Sequence, residues 1–190
     1  MVATASIMLP LGTLAPRFTL QDSLSKQWVP LERLRGKRAT VIMFICNHCP
    51  YVKHVQSELV RLAHDYQAKA VGFIAINSND AVAYPEDAPD KMAKVAEEWG
   101  YPFPYLYDED QSVAKAYQAA CTPDFYIFDQ DLRCVYRGQL DDARPGNAIT
   151  PNGQSIRQAL NQLLAQQPVS TNQKTSIGCN IKWKSTVYTS

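Results

Sequence analysis

The sequence predicts an α/β fold in which a central mixed β-sheet is flanked by helices. Two apolar runs, residues 41–45 and 71–77, have the composition of strands that are buried on both faces. Between them, apolar residues recur at the spacing of an amphipathic helix, namely Val52, Val55, Leu59, Leu62, Ala63 and Tyr66. A strand, a helix and a second strand in this order predict a right-handed crossover unit.

The segments before and after this unit extend the predicted sheet. Residues 14–20 and 27–31 predict an N-terminal extended hairpin, which is followed by a helical turn over residues 31–34. A polar connection over residues 78–90 leads to a helix that ends at Gly100. The apolar face of that helix consists of Met92, Val95, Ala96 and Trp99.

A second hairpin is predicted in the C-terminal half of the chain. Asp110 is expected to cap a short helix over residues 111–119. Residues 121–129 and 134–138 then predict two strands joined by a turn. Pro123 enters the first of these strands, where the preceding peptide bond is a candidate for the cis form.

A final helix is predicted over residues 152–166, where apolar residues again recur at helical spacing. The chain is therefore expected to form one domain over residues 1–166. Residues 167–190 are expected to form a polar tail that packs on or near this domain. Its apolar residues are Ile177, Cys179, Ile181 and Trp183.

Composition limits the classes of function. The 190 residues are 46% hydrophobic, which suffices for one domain with a substantial core. The 19 basic and 18 acidic residues nearly balance, so neither a nucleic acid nor an acidic membrane is an expected partner. Residues 1–11 lack the basic start of a signal peptide and are too short to span a membrane. We therefore expect a cytoplasmic protein.

The chemistry is predicted at the junction between the first buried strand and the long helix, where Cys46 and Cys49 are separated by two residues. The first backbone N–H groups of a helix lack internal partners, and the helix dipole places partial positive charge there. Such a position lowers a thiol pKa from about 8.5 to between about 3.5 and 7.5. Cys46 is the predicted nucleophile and Cys49 the resolving thiol, while Pro50 is tolerated in the first helical turn.

The cysteines have other interpretations. A zinc site needs four ligands, and no second Cys or His pair stands at close spacing, so a redox dithiol is favoured and neither a metal nor another cofactor is predicted. Cys121 is either a third redox partner or a small buried residue. Cys134 is expected in the core. Cys179 is either a resolving thiol that swings in from the tail or a packed tail residue.

The order of these elements, with the Cys-x-x-Cys helix and the Thr-Pro hairpin, resembles the thioredoxin superfamily. Residues 14–20, Leu-Ala-Pro-Arg-Phe-Thr-Leu, together with Cys49-Pro50, resemble its alkyl hydroperoxide reductase and thiol-specific antioxidant branch, the peroxiredoxin-like proteins. Three motifs carry a closer resemblance to an uncharacterised peroxiredoxin-like group: Phe44-Ile-Cys-Asn-His-Cys-Pro-Tyr-Val52, Cys121-Thr-Pro-Asp-Phe125 and Ser176-Ile-Gly-Cys-Asn-Ile-Lys-Trp-Lys184.

The resemblance implies roles for individual residues. Cys46 would be the attacking cysteine and Cys49 its partner. Pro123, after Thr122, would be a cis-proline that faces the dithiol and lets the neighbouring backbone pair with a substrate chain. His48 stands where strongly oxidising relatives have a residue that stabilises the first thiolate.

The residues between the cysteines also bear on the redox potential. Asn47 replaces the proline of the strongly oxidising relatives. A stabilised thiolate nevertheless implies a potential less reducing than that of thioredoxin, about −270 mV.

A peroxiredoxin alignment gives a second interpretation of the same stretch. There the peroxide-attacking cysteine corresponds to Cys49, which precedes Pro50. Cys46 then stands where a threonine or serine would orient peroxide, and Ile42 stands where a proline would precede it. Without that hydroxyl group, the thioredoxin-like interpretation is favoured.

The predicted function is that of a thiol–disulfide oxidoreductase acting on a protein or small-molecule disulfide or thiol, with a thioredoxin-type protein as one candidate electron donor. One alternative is a thiol peroxidase in which Cys121 or Cys179 resolves the oxidised cysteine. The other is a non-catalytic module that holds Cu(I) or a partner chain. The sequence predicts no oligomeric state.

Overall fold

The computed structural model describes residues 3–185. Within that range the strands are β1 (Ala3–Ala5), β2 (Thr19–Asp22), β3 (Trp28–Pro30), β4 (Ala39–Phe44), β5 (Val71–Asn77), β6 (Tyr105–Tyr107), β7 (Cys121–Thr122), β8 (Asp124–Asp129), β9 (Cys134–Gly138) and β10 (Ile177–Asn180). The helices are α1 (Leu31–Leu34), α2 (Pro50–Gln67), α3 (Pro89–Glu98), α4 (Ser112–Ala116) and α5 (Gln154–Leu164), with a 3-10 helix at Pro85–Asp87. Residues 1–2 of the predicted domain (residues 1–166) and residues 186–190 of the predicted tail (residues 167–190) lie outside the described residues.

Seven of these strands form a mixed sheet in the order β3-β2-β6-β5-β4-β8-β9. β4 pairs with β5 and β5 with β6 in parallel, whereas β4 and β8 are antiparallel. Helix α2 connects β4 to β5, which gives the predicted strand–helix–strand unit. The strands β2 and β3 pair antiparallel and form the predicted N-terminal hairpin. The predicted α/β fold with a central mixed sheet is confirmed.

Strand β4 lies inside the sheet and is buried over its whole length. Because successive side chains of a strand point to opposite faces, β4 contributes to two cores. Val41 and Met43 pack with apolar residues of α2, α3 and α5, whereas Ile42 and Phe44 pack with residues of α1 and α4. Burial on both faces explains why residues 41–45 contain no polar side chain.

The prediction that Asp110 caps the helix after β6 is wrong in detail. Helix α4 begins at Ser112, and its N-cap residue is Gln111. The carboxylate of Asp108, which is buried, accepts hydrogen bonds from the N–H groups of Val113 and Ala114 at 3.2 and 2.9 Å. Asp110 accepts a bond from the N–H of Ser112. The buried N–H groups at the start of α4 are thus satisfied by Asp108 and not by Asp110, which is nearer in sequence.

The C-terminal segment carries a strand that the sequence did not predict. β10 lies between β1 and β7 in a three-stranded sheet. Its residues lack the alternation of polar and apolar side chains that predicts a strand, since only its two middle residues are buried. No helix between residues 3 and 185 combines the length and apolar character needed to cross a membrane.

The fold predicts how two leucine substitutions should differ. Leu59 of α2 is fully buried, whereas Leu24, in the turn of the N-terminal hairpin, is 51% exposed. Leu59→Ala should lower the free energy of unfolding by about 2 to 5 kcal/mol because it leaves a cavity in the core. Leu24→Ala should change it by less than about 0.5 kcal/mol. Urea denaturation followed by circular dichroism measures both, and equal effects would contradict the packing described.

Candidate active site

The two cysteines of the Cys-x-x-Cys motif lie where β4 passes into α2. Cys46 follows the end of β4 by two residues. Cys49 is the N-cap residue of α2, with an extended backbone, and Pro50 is the first residue of the helix. The strand delivers the loop to the edge of the sheet, and the helix fixes the second sulfur at its start.

Strand β7, which pairs with β10 in the three-stranded sheet, brings Thr122 against both sulfurs. The Thr122–Pro123 peptide bond is cis. The Thr122 hydroxyl oxygen lies 3.3 Å from Cys46 Sγ, and the Thr122 carbonyl oxygen lies 3.2 Å from Cys49 Sγ. The structure thus places the predicted dithiol beside the residue that precedes Pro123.

A third sulfur, that of Cys179 in β10, lies 2.8 Å from Cys49 Sγ. The two remaining cysteines have other surroundings: Cys121 Sγ lies 3.8 Å from the Pro123 carbonyl oxygen, and Cys134 Sγ lies 3.4 Å from that of Tyr136. Burial raises the pKa of Cys121 far above its ordinary value and that of Cys134 to about 12. Both are neutral thiols at physiological pH.

The sulfurs of the dithiol are shielded from solvent. Cys46 is 2% exposed and Cys49 is 0% exposed. Burial alone favours the neutral thiol over the charged thiolate, so any thiolate at this place requires hydrogen-bond donors close by.

Several donors lie close to Cys49, although the Thr122 carbonyl oxygen, which is an acceptor, also faces its sulfur. The hydrogen bond with Cys46 lowers the pKa of Cys49 most, and further hydrogen bonds from the Cys179 thiol and from the backbone N–H groups of Val52 and Cys179 bring it to about 5, although burial opposes them. The same hydrogen bond raises the pKa of Cys46, as do burial and the negative charge of Asp87. The sequence predicts the thiolate at Cys46, whereas these pKa shifts favour Cys49.

His48 forms an ion pair with a carboxylate that the sequence did not single out. His48 Nδ1 lies 2.6 Å from Oδ2 of Asp87, which is fully buried in the 3-10 helix. The His48 ring stacks on Tyr84 with an interplanar angle of 9°. The hydrogen bond to Asp87 raises the pKa of His48 above its ordinary value, and the negative charges of Asp87 and Cys49 act in the same direction. A protonated His48 therefore favours the thiolate of Cys49.

Asp87 also holds the loop between the cysteines. Its Oδ1 accepts the N–H of Asn47 at 2.7 Å, and its Oδ2 accepts a bond from the Asn79 side chain at 2.8 Å. Burial raises the pKa of Asp87, but the hydrogen bonds from His48, Asn79 and Asn47 outweigh it and leave the pKa lowered. Nothing in the polar connection of residues 78–90 distinguishes Asp87 from its acidic neighbours, so sequence reasoning missed it.

The side chain of Asn47 fixes the loop from the other side. It donates to the Glu86 carbonyl oxygen at 2.7 Å and accepts the hydroxyl hydrogen of Tyr105 at 3.1 Å. Asn47 and His48 line a cavity of about 640 Å³, which is also bordered by the side chains of Lys53, Lys91, Lys94 and Trp99. The backbone between the two cysteines is therefore fixed while one side of this loop borders an open cavity.

Cys46, His48 and Asp87 each place one possible metal ligand atom within 4.8 Å of the others. Structural zinc takes four ligands, and both carboxylate oxygens of Asp87 already accept hydrogen bonds. The chemistry of this set suits a hydrogen-bonded ion pair better than a metal site.

A model of the AhpC/TSA family matches residues 11–137 of the chain. Among solved structures, the chain is similar to an uncharacterized conserved protein from Geobacillus kaustophilus, with 66% identity over 97% of each chain and a TM-score of 0.95. A hypothetical protein from Sinorhizobium meliloti 1021 shares 44% identity over 96% of this chain and 99% of its own, with a TM-score of 0.93. No curated protein matches significantly.

A more distant similarity concerns the fold alone. The thioredoxin domain of a thiol-disulfide oxidoreductase from Bacteroides vulgatus is 16% identical, covering 78% of this chain and 96% of that domain with a TM-score of 0.60. The predicted thioredoxin-like fold is confirmed.

A thiolate at Cys49 predicts a titration of the reduced protein at acidic pH. Reduced protein should show the ultraviolet absorbance of one thiolate that appears with a midpoint near pH 5, because hydrogen bonds lower the pKa of Cys49 to about 5. Cys49→Ser should abolish this transition. Cys134→Ser is the control, since burial raises the pKa of Cys134 to about 12. If the acidic transition persists in Cys49→Ser and disappears in Cys46→Ser, the assignment is reversed.

The ion pair predicts a coupled change at His48. Asp87→Asn should lower the pKa of His48, because the hydrogen bond to the carboxylate raises it in the parent protein. NMR titration of the imidazole signals measures this pKa. An unchanged His48 titration would show that the carboxylate does not act on the ring.

The pair of His48 and Asp87 should stabilise the folded protein over a limited pH range. Since the pKa of folded Asp87 is lowered, its contribution is present above the ordinary value of about 3.9 and is lost as pH falls through the folded pKa. Since the pKa of folded His48 is raised, its contribution is complete below about 6.5 and is lost as pH rises through the folded pKa. The difference in unfolding free energy between the parent and Asp87→Asn should be largest between these values.

Proposed function

The chain belongs to the AhpC/TSA family, and on this premise we propose that it is a thiol–disulfide oxidoreductase whose redox pair is Cys46 and Cys49. One observation supports this most strongly: at the start of α2 both sulfurs lie against Thr122, Cys46 Sγ 3.3 Å from its hydroxyl oxygen and Cys49 Sγ 3.2 Å from its carbonyl oxygen. Hydrogen bonds also lower the pKa of Cys49 to about 5. A thiolate is the reactive form of cysteine in disulfide exchange.

In the proposed reaction the Cys49 thiolate attacks one sulfur of a partner disulfide. The partner's S–S bond breaks, and its second sulfur leaves with the electron pair and takes up a proton. Cys46 then loses its proton and attacks Cys49 Sγ, which forms the Cys46–Cys49 disulfide and releases the partner as a dithiol. The sequence predicts attack by Cys46, but the lowered pKa of Cys49 favours attack by Cys49.

The groups around the dithiol have distinct roles in this proposal. His48, held by Asp87, supplies positive charge to the thiolate. Thr122 contacts both sulfurs and holds them beside β7. Because both sulfurs are buried, a partner reaches them through a local opening of the structure, a motion that costs less than global unfolding.

A thiol peroxidase is the second candidate, and the low pKa of Cys49 favours it specifically. A thiolate can attack the O–O bond of a hydroperoxide, giving a sulfenic acid and an alcohol, and a second thiol then forms a disulfide and releases water. The Thr122 hydroxyl group lies beside Cys46 Sγ, whereas its carbonyl oxygen faces Cys49 Sγ. The hydroxyl that would orient peroxide at the attacking sulfur is therefore not at Cys49, so disulfide exchange remains the preferred function.

The partner is proposed to be a protein or small-molecule disulfide or thiol, and a thioredoxin-type protein is a candidate electron donor. Cytoplasmic location and the absence of a cofactor stay predictions, as does the Cu(I)-binding alternative. Copper binding without turnover would favour that alternative.

The proposal predicts the activity of cysteine variants. Dithiothreitol-driven reduction of insulin disulfides should be accelerated by the parent and should fall to the uncatalysed rate in Cys49→Ser, which lacks the attacking thiol. Cys46→Ser should be slower than the parent because it lacks the thiol that resolves the mixed disulfide. Cys134→Ser should retain the parental rate because its sulfur lies in the other core. Equal rates in the parent and both dithiol variants would contradict the proposal. Consumption of cumene hydroperoxide that depends on Cys49, without insulin reduction, would identify the peroxidase instead.

A further inference from the structure

The C-terminal strand β10 lies against the backbone that precedes Pro123. It pairs antiparallel with β7, so that Cys179 is opposite Thr122 and Asn180 is opposite Cys121. On its other side it pairs antiparallel with β1, where Ala3 is opposite Cys179. A strand held on both sides has a defined register, and that register sets the direction of its side chains.

The approach of β10 to Thr122 is unusually close. A Cβ atom added to Gly178 would lie 2.0 Å from the Thr122 carbonyl oxygen, so only glycine permits this approach. The residues before and after Gly178 are also fixed. Ser176 Oγ donates a hydrogen bond to the Pro123 carbonyl oxygen, and the Ile181 N–H donates to the Ala120 carbonyl oxygen at 3.1 Å.

The segment that follows β10 is anchored to a different part of the chain. The Lys182 N–H donates to Asn79 Oδ1 at 2.9 Å, and the Lys182 carbonyl oxygen accepts bonds from the Asp80 N–H and from Gln111 Nε2. Cys179 therefore does not swing in from a distant tail, because the strand already holds it at the dithiol.

Cys49 is the sulfur that the other two thiols share. It forms a hydrogen bond with Cys46 and lies 2.8 Å from Cys179 Sγ. A disulfide bond is about 2.05 Å long, so a movement of less than about 1 Å would bring these two sulfurs to bonding distance. Cys121 stands next to Thr122 in β7, yet its sulfur contacts the Pro123 carbonyl oxygen instead.

From this arrangement we propose that Cys179 is a third redox thiol, which exchanges with the Cys46–Cys49 disulfide to form a Cys49–Cys179 disulfide. The inference rests on the proposed redox role of Cys49. Cys179 loses its proton and attacks Cys49 Sγ, the bond between Cys49 and Cys46 breaks, and the electron pair leaves on Cys46 Sγ, which takes up a proton. The exchange needs no further oxidant, because one disulfide replaces another.

This exchange changes which cysteine is available to a partner. In the first disulfide isomer Cys46 is bonded and Cys179 is a thiol. In the second, Cys46 is the thiol, and β10 is covalently attached to the start of α2. Oxidation would thereby fix the C-terminal strand over the dithiol, and the chain would hold one disulfide and one thiol among these three sulfurs.

The experiment isolates the second disulfide by removing Cys46. Cys46→Ser protein is oxidised with diamide at low concentration without any partner, alkylated, digested without reduction and examined by mass spectrometry. The expected product is an intrachain link between Cys49 and Cys179 that consumes two of the four remaining thiols. Cys46→Ser/Cys121→Ser should form the link equally well. Cys46→Ser/Cys179→Ser should retain all of its thiols.

Links from Cys49 to Cys121, links only between molecules, or no link would each overturn the proposal. Circular dichroism of each variant shows that the fold is retained, and detection of both linked peptides in oxidised parent protein provides a test that needs no substitution at Cys46. If neither the parent nor Cys46→Ser yields the Cys49–Cys179 peptide, the proposal is wrong.

A further pair of variants tests whether the strand register delivers Cys179. In the Cys46→Ser background, Gly178→Ala should slow formation of the link by at least about tenfold, because the added Cβ disrupts the pairing of β10 with Thr122. Ile177→Ala, in the same strand but half exposed, should leave the rate unchanged. Equal rates in both variants would overturn the positioning role of β10. Because no partner disulfide takes part, these results are independent of the insulin assay.

Discussion

Thr122 and the three sulfurs around it form the contact on which the site depends. The Thr122 residue faces Cys46 with its hydroxyl group and Cys49 with its carbonyl oxygen, and its strand also pairs with the segment that carries Cys179. The three cysteines come from three separate parts of the fold: the end of β4, the start of α2 and the C-terminal strand. Strand β7 is the neighbour that these three parts share.

The ion pair of His48 and Asp87 supports the same place from the opposite side. A fully buried carboxylate is costly unless its oxygens accept hydrogen bonds, and Asp87 receives them from His48, Asn47 and Asn79. Two of these partners are the residues between the two cysteines. The hydrogen bonds that compensate for the buried charge of Asp87 therefore also fix the Cys-x-x-Cys loop. Removing this charge would change both the electrostatics of the site and the geometry of the loop.

Local sequence patterns were sufficient for the sheet, the long helix and the position of the dithiol, because burial on both faces of β4 and the helical spacing in α2 are visible within about twenty residues. They were insufficient for Asp87 and for the strand that carries Cys179. Asp87 resembles any acidic residue in a polar connection until the fold places it under His48. Cys179 lies 130 residues from Cys49 in sequence, and its strand lacks a periodic pattern.

Local sequence was also insufficient to predict which of the two cysteines, Cys46 or Cys49, is the thiolate. The helix start is a local feature and favours a thiolate at either cysteine, but the thiol of Cys179 and the N–H groups that select Cys49 come partly from another strand. These donors stabilise the reduced, charged form of Cys49, and forming a disulfide removes that charge. Stabilising the thiolate makes a disulfide easier to reduce, as in strongly oxidising dithiol proteins. A potential less reducing than that of thioredoxin therefore stays a prediction, but the donors on which it depends converge on the second cysteine rather than the first, which the sequence did not reveal.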